Sequence, residues 1–446
     1  MNPLWQLRVG DVLEQLAEME DGSVHCCITS PPYYNLRDYG TGEWAGGDPE
    51  CDHLRRDLAD NDNLGRSAAS TRGGGASRKG ADHLQYGSAC AKCGAERMDD
   101  QIGLEDTPEE FVQKLVEVFR EVRRVLRDDG TLWLNLGDSY ARSAGPRHGN
   151  FGRSAKGVGI PENRDSRRRR EYAKDKDLLG IPWMVAFALR ADGWYLRSEI
   201  IWAKPNPMPE SVTDRPTSAH EQVFLLAKSP RYYYDAVAIR EPDKGTDHKR
   251  QVHDEASLEP TGGLMPVHSG LRRDRRAQNG AGANKRSVWT VATRPYPEAH
   301  FATYPAQLIE PMVLAGVPRK VCAECGAPWV RVVEWQEQDY DGSEYGERAQ
   351  AATGGAAKGG TARSTLGSSN GRLTAKPITV GEKPTCGHGD GSEVGVVLDP
   401  FVGSGTTLEV AVRNGRSAIG IDLKPDNERL VRKRMAGVTP SMFDAV

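Results

Sequence analysis

Apolar positions along the chain keep two alternating rhythms. From Val12 to Met19 they recur at helical spacing (Val12, Leu13, Leu16, Met19), and the run that follows, "SVHCCITS", reads as a short buried strand of β-branched and small residues. "TPEEFVQKLVEVFREVRRVLRDDG" repeats the helical rhythm at greater length: Thr107 caps it, Pro108 sits in its first turn with Glu109 and Glu110, and Gly130 follows its end. "TLWLNLGDSY" then predicts a second buried strand. The helix "IPWMVAFALRADG" and the strand "WYLRSEIIWAK" repeat the pair, "HEQVFLLAKS" adds a strand and "PAQLIEPMVLAG" a helix. A βαβ unit comes last, with a strand over 394–398, a glycine turn, a helix from Thr406 to Arg413 and a strand ending at Asp422. This order predicts an α/β fold, a parallel sheet with helices on its faces. Trp183, Trp194 and Trp202 are expected in its core, as are Cys26 and Cys27.

Two intervals, "GRSAASTRGGGASRKG" and "AATGGAAKGGTARSTLGSSNG", are too poor in apolar residues to pack and read as flexible arms. With 446 residues, 38% of them hydrophobic, and 49 glycines, one core domain with large insertions is expected. "MNPLWQLRVGDVLEQL" lacks the apolar stretch of a signal peptide, and no run is long enough to span a membrane. A cytoplasmic protein without a membrane partner is the expectation.

The net charge of −3 does not advertise a nucleic-acid partner, but its distribution does. Residues 139–176 hold eleven Lys/Arg against four Asp/Glu, and residues 231–294 hold twelve against eight. Such segments neutralise phosphates, although a solvated loop has the same composition.

Two short stretches carry candidate chemistry. In "ITSPPYYNLRDYG", Pro31 and Pro32 lack the N–H a sheet ladder needs, so the strand must end at Ser30. Ser30, Pro31, Pro32 and Tyr33 therefore sit at a strand's carboxyl end, the edge where open α/β sheets bind ligands. In "DPFVGSGTT", a strand leads through Gly403 and Gly405 into a helix, a turn that brings backbone N–H groups to an anionic ligand. No lysine follows the second glycine, which excludes a triphosphate loop. Asp422, ending the next strand, is placed to accept hydrogen bonds from ribose hydroxyls.

"TSPPYYNLRDYG" and "DPFVGSGTT" resemble the catalytic and cofactor motifs of the amino-methylating DNA methyltransferases, in the circularly permuted order of the family's beta group. "RVGD", "LWLNLGDSY", "IIWAKPNPMPESVTDRPTSAHEQVFLLAKS" and "HFATYPAQLIEP" resemble its intervening motifs, so the likeness runs from Leu7 to about Arg434. The resemblance implies a Rossmann-like sheet, S-adenosyl-L-methionine as cofactor and double-stranded DNA as partner. It further implies that Ser30 Oγ and the Pro31 carbonyl accept the target amine's hydrogens while Tyr33 stacks on an extruded base. Cofactor contacts are implied for Asp399, Phe401, Gly403, Ser404, Gly405, Thr406 and Asp422, for Asp11 near the adenine, and for Phe301. Ser-Pro-Pro-Tyr is the form more usual for cytosine N4, and adenine N6 is the alternative. His220 and Glu221 also match a family pattern, but a His-Glu pair entering a strand is as often structural, and neither is assigned to catalysis. In this frame residues 1–230 form a catalytic half, with an insert over 45–100 and a basic arm over 141–176. Residues 231–294 form a target-recognition region, and 295–446 a cofactor half with an insert over 321–391.

The cysteines add a second chemistry. Cys51-x-His53 with Cys90-x-x-Cys93, and Cys322-x-x-Cys325 with Cys386-x-His388, each offer three thiolates and one imidazole, the closed complement of a structural Zn²⁺. One or two zinc ions are expected. Two other classes fit part of the pattern. A nicotinamide-dependent oxidoreductase explains the glycine turn and Asp422 but leaves Ser-Pro-Pro-Tyr without a task. A non-catalytic zinc protein that binds DNA explains the cysteines and arginines but not the nucleotide-like unit.

Overall fold

A computed structural model describes residues 4–34, 42–51, 90, 92–98, 101–141, 173–174, 176–241, 283–294, 303–338, 374–389 and 391–439. Phe301, His53, most of the basic arm and most of the proposed recognition region lie outside them. The elements in chain order are β1 (Trp5–Val9), α1 (Val12–Ala17), β2 (Val24–Thr29), β3 (Glu43–Ala45), β4 (Glu96–Met98), α2 (Pro108–Val125) and β5 (Leu126–Leu136). Next come α3 (Ile181–Ala191), β6 (Tyr195–Ala203), β7 (His220–Ala227), β8 (Val288–Thr290) and α4 (Ala306–Gly316). The last are β9 (Val321–Cys322), β10 (Trp329–Gln338), β11 (Thr374–Pro384), β12 (Ser392–Glu393), β13 (Val396–Asp399), α5 (Thr406–Arg413), β14 (Ser417–Asp422) and α6 (Pro425–Met435).

Eight strands join one sheet in the order β1-β14-β13-β2-β5-β7-β6-β8. All run parallel except β7, which is antiparallel to both neighbours. The sheet is thus mixed rather than wholly parallel. No described helix intervenes between β6 and β7, so the chain turns back beside the strand it has just left.

Helix α2 shows how the pattern becomes packing. Thr107 accepts the Glu110 N–H at 3.2 Å, Pro108 opens the helix, and the apolar stripe Phe111, Leu115, Val118, Phe119 and Val122 is fully buried. It stops at Val125, short of the expected end, because Leu126 turns extended and begins to pair with β2. Truncating Phe119 to alanine would cost about 3–5 kcal/mol. Together α1, α2 and α3 cover one face of the sheet, where Cys27, Leu132, Leu134, Phe224 and Leu398 point. Helix α4 packs on β2 and β5 from the face where Cys26 points. Both faces of β2 are therefore covered, and every one of its residues is buried, His25 and Thr29 included. Cys26 and Cys27 are buried and their thiols are held well above the usual range by that burial, so they are inert core residues. Trp194 and Trp202 are buried and Trp183 packs against the core, as expected.

The chain divides into two compact units. The first, Met1–Asp235 with Arg286–Lys320 and Glu393–Val446, holds the large sheet. The second, Ala236–Lys285 with Val321–Ser392, holds the antiparallel ribbon of β10 and β11. Among the described residues no helix is long and apolar enough to cross a membrane.

Candidate active site

β13 and β2 are parallel neighbours, with Val397 opposite Cys26 and Leu398 opposite Cys27. From β13 the order runs outward through β14 to β1, and from β2 it runs the other way through β5. Their carboxyl ends flank the point where strand order reverses, the crevice in which such sheets bind ligands. One strand ends in Asp399 and the glycine turn, the other in Thr29 and the Ser-Pro-Pro-Tyr segment. The two ends of the polypeptide thus meet at one edge.

Asp399 ties them together. Its Oδ1 accepts from Thr29 Oγ1 at 2.6 Å and from Phe401 N at 3.1 Å. Its Oδ2 accepts from Tyr304 Oη and Thr407 Oγ1, each at 2.6 Å. The side chain is wholly buried, and that desolvation raises its pKa against the pull of these donors. Four protein donors use the carboxylate's capacity, so contact with a ligand's amino group would require one of them to let go.

The glycine turn has a similar internal frame. Gly403 and Gly405 take φ of +51° and +84°, a left-handed conformation that favours glycine. Gly403 N donates to Asp422 Oδ2 at 2.9 Å, while Asp422 Oδ1 accepts from Lys424 N at 2.8 Å and Asn427 Nδ2 at 2.9 Å. Burial of Asp422 pushes its pKa up to about 6. Ser404 and Thr406 turn their hydroxyls inward to Arg434 of α6, at 3.1 and 2.9 Å, leaving their backbone as the part offered to a ligand. No side chain caps α5, and half-buried Phe401 stands beside the turn. An uncapped helix start, an acid on the next strand and an aromatic ring are a donor set that fits the amino-acid and ribose ends of S-adenosylmethionine. Asp11 follows β1, whose Val9 pairs with Asp422: Gly10 N donates to the Asp422 carbonyl at 3.0 Å, and Asp11 caps α1 through Leu13 N and Glu14 N.

On the other strand, Pro31 is buried and Ser30 and Tyr33 are half-buried. The Tyr33 hydroxyl donates to Glu221 Oε2 at 2.7 Å and approaches Asn135 Oδ1 at 3.3 Å, and Ser30 Oγ donates to the Tyr33 hydroxyl at 3.4 Å. Asn135 Nδ2 donates to Glu221 Oε2 at 3.2 Å, and Lys204 forms an ion pair with Glu221. The Tyr33 ring lies on Gly137, where a Cβ would come within 2.5 Å of Cε2. Sequence reasoning passed over Asn135, Gly137 and Lys204, and left Glu221 unassigned. The available signal was Asn135, a polar residue among the apolar, buried residues Leu132, Trp133, Leu134 and Leu136 of β5. His220 is exposed, so the suspected His-Glu pair is not what holds Glu221.

Residues 24–320 and 392–433 match the family model of the N6/N4 DNA methylases. The chain belongs to this family. It is 37% identical over 313 residues to the type II methyltransferase M.Cfr9I of Citrobacter freundii, covering 69% of this chain and 70% of that one. It is 35% identical over 310 residues to the type II methyltransferase M.SmaI of Serratia marcescens, covering 69% and 74%. The solved PvuII DNA methyltransferase (cytosine-N4-specific) aligns with 97% of this chain and 88% of its own at 13% identity and a TM-score of 0.43, a likeness too loose to argue from. This N6/N4 methylase is an S-adenosylmethionine-dependent DNA methyltransferase that acts on an exocyclic base amine.

Other segments of the chain form two cysteine clusters. Cys322, Cys325, Cys386 and His388 bring their ligand atoms within 4.8 Å of one another, as do Cys51, Cys90 and Cys93. The two Cys-x-x-Cys-Gly-Ala segments share one backbone form. Cys90 N donates to Ala95 O and Gly94 N to Cys90 O, and Cys322 N donates to Ala327 O and Gly326 N to Cys322 O. Backbone N–H groups of Cys325 and Glu324 aimed at the Cys322 sulfur lower its pKa to about 6. The remaining ligands arrive on the partner strand of an antiparallel pair: Cys51 follows β3, which pairs with β4, and Cys386 follows β11, which pairs with β10.

Proposed function

We propose that this enzyme methylates cytosine N4 in double-stranded DNA, with Ser30, Pro31, Pro32 and Tyr33 forming the site for the target base. The carrying observation is the hydrogen bond from Thr29 to Asp399, which fixes the Ser-Pro-Pro-Tyr segment beside the glycine turn. Bound S-adenosylmethionine supplies an electrophilic sulfonium methyl group. An exocyclic base amine is a weak nucleophile because its lone pair is delocalised into the ring. Ser30 Oγ and the Pro31 carbonyl accept its two hydrogens and draw the nitrogen toward a tetrahedral shape. Tyr33, anchored by Glu221 and resting on Gly137, stacks on the base after it leaves the duplex, recovering part of an unstacking cost of a few kcal/mol. Gly403, Gly405 and the start of α5 hold the cofactor's carboxylate end, with Ser404 and Thr406 contributing backbone. Asp422 takes the ribose, Asp11 and Phe401 the adenine side, and Phe301 the same pocket, while Asp399 braces the turn from beneath.

Cytosine over adenine rests on Ser30 at the head of the motif. Incubation with unmethylated DNA and nucleoside mass spectrometry tests it. N4-methylcytosine is the expected product, and N6-methyladenine alone would reverse the base assignment. Ser30→Ala should abolish transfer while cofactor affinity, read by calorimetry, stays near parental.

The same reading extends to the whole chain. Residues 1–230 act as catalytic half and 295–446 as cofactor half in permuted order, and 231–294, with the arm at 141–176, provides target recognition. The composition fits a cytoplasmic enzyme. Cys322, Cys325, Cys386 and His388 hold one structural Zn²⁺, and Cys51, Cys90 and Cys93 with His53 hold a second. Two thiolates each about 2.3 Å from one tetrahedral zinc lie about 3.8 Å apart, and Cys51 Sγ and Cys90 Sγ are 3.8 Å apart.

A further inference from the structure

A serine hydroxyl is both donor and acceptor, and a site that must accept an amine hydrogen needs its proton directed elsewhere. An aspartate at that position would be an acceptor by its charge alone. In this chain the donors run in one direction, from Ser30 Oγ to Tyr33 Oη at 3.4 Å and from Tyr33 Oη to Glu221 Oε2 at 2.7 Å. Glu221, as a carboxylate, cannot donate back, so the polarity of the whole row is set from its far end. We propose that Glu221 makes Ser30 an obligate acceptor and is the terminus for the proton the methylated amine must lose.

Each element at this edge supports the row. β5 brings Asn135, whose Nδ2 donates to Glu221 Oε2 at 3.2 Å and to the Gln222 carbonyl at 3.1 Å, which turns its own oxygen toward Tyr33. β6 delivers Lys204, whose ammonium pairs with Glu221 Oε1 and lies 4.3 Å from the Trp202 ring centroid. Oε2 is thereby left for Tyr33 and Asn135. The charged and titratable groups facing Glu221 in the described residues are thus Lys204 and Tyr33. At 3.4 Å the Ser30–Tyr33 contact is longer than a fully formed O–H···O bond, a common condition of catalytic hydrogen bonds before substrate arrives.

The proton balance is simple. As the new N–CH₃ bond forms, the sulfonium S–CH₃ bond breaks with its electron pair staying on sulfur; the nitrogen then carries the positive charge and releases one hydrogen as a proton to Ser30 Oγ. Ser30's own proton passes to Tyr33 Oη, and Tyr33's to Glu221 Oε2. The amine ends neutral, both hydroxyls are restored, and Glu221 holds one proton until it exchanges with water. Glu221 and Tyr33's hydroxyl act through Ser30, as positioning groups. This inference rests on the two-acceptor reading of Ser30 given above.

Single-turnover methylation of duplex DNA by the full chain tests it, in Glu221→Gln, Tyr33→Phe, their double variant and Ser30→Ala. Glutamine keeps the size of Glu221 but cannot bind the proton, and phenylalanine keeps the ring on Gly137. Each single variant should be about 100-fold slower. The double variant should be no slower than the worse single, because both interrupt one row. DNA and cofactor affinities should stay parental, so that the loss falls on the chemical step. Parental rates in either single variant, multiplied losses in the double, or a loss carried by weaker DNA or cofactor affinity would overturn the proposal. Should Glu221→Gln not fold, Tyr33→Phe decides, since it leaves the Lys204 pair intact. Full activity in Ser30→Ala would remove the two-acceptor reading itself, whereas an inactive Ser30→Ala beside parental Glu221→Gln and Tyr33→Phe would remove only the relay.

Discussion

Thr29 Oγ1 and Asp399 Oδ1 lie 2.6 Å apart although 370 positions separate them in the chain. The bond joins the last residue of β2 to the last residue of β13, and the Ser-Pro-Pro-Tyr segment follows one strand and the glycine turn the other. Val396 N adds a bond to His25 Nδ1 at 3.0 Å near the other end of the same strand pair. Ser30 and the glycine turn are therefore placed by the sheet rather than by loop contacts, the more precise way to hold a reacting constellation.

Thr29→Val tests that link with little change of shape. It removes one of four donors to a wholly buried carboxylate, which should destabilise the fold by about 1–3 kcal/mol and lower the melting temperature by several degrees. Transfer should slow as well, because Ser30 follows directly. Calorimetric melting and single-turnover rates measure the two effects, and an unchanged melting temperature would show that Asp399 does not depend on Thr29.

Gly137 makes a sharper separation between binding and chemistry. An alanine Cβ there would stand 2.5 Å from Tyr33 Cε2 and 2.8 Å from Cδ2, so the ring must shift. A displacement of about 1 Å in a reacting group costs on the order of 100-fold in rate. Gly137→Ala should lose that much in transfer while binding S-adenosylmethionine as the parent does, since the glycine turn follows a different strand. Parental turnover would mean that the position of the Tyr33 ring is unimportant.

Much of this was legible before any coordinates. Paired prolines, which cannot stay in a ladder, marked the end of β2, and the glycine turn with Asp422 marked the end of the βαβ unit. The adjacency of those two ends followed from motif order rather than from any local pattern. Glu221 was not legible as part of the site, because a His-Glu dipeptide entering a strand has the same appearance whichever face it presents. Its role depends on β7 running antiparallel beside β5, which brings the start of one strand to the end of the other. The reversal of β7 was itself invisible to periodicity, which reports burial and not direction. The short strand β8 was missed for a related reason, since its three residues are too few to show a period.

Asp422 gives a pH dependence with a definite sign. Burial raises its folded pKa from 3.8 to about 6, so the folded protein holds this proton more tightly than the unfolded chain does. Its contribution to the stability of the unliganded protein therefore falls as pH rises from about 4 to about 6. Cofactor binding should run the opposite way, because only the ionised carboxylate is free of a proton when ribose hydroxyls donate to it. Affinity for S-adenosylmethionine should be about tenfold weaker near pH 5 than near pH 7.5, a difference that Asp422→Asn should abolish. Calorimetry across that range measures it, and a parental profile as flat as the variant's would take Asp422 out of the cofactor site.

The cysteine clusters predict a metal content. Four ligands at the open end of the β10–β11 ribbon, and three beside the β3–β4 pair with His53 as the fourth, call for about two zinc ions per chain in protein purified without chelator. A two-stranded ribbon is marginal by itself in water, so a zinc ion bound at its base would help hold β10 against β11. Cys386→Ser should therefore lose about one equivalent of zinc and make the ribbon accessible to protease, while Cys90→Ser removes the other equivalent without that effect. Elemental analysis counts the ions, and limited proteolysis with mass mapping locates the cut. Less than about a tenth of an equivalent in the parental protein would mean that the shared knuckle geometry of Cys90–Ala95 and Cys322–Ala327 is held by backbone hydrogen bonds alone.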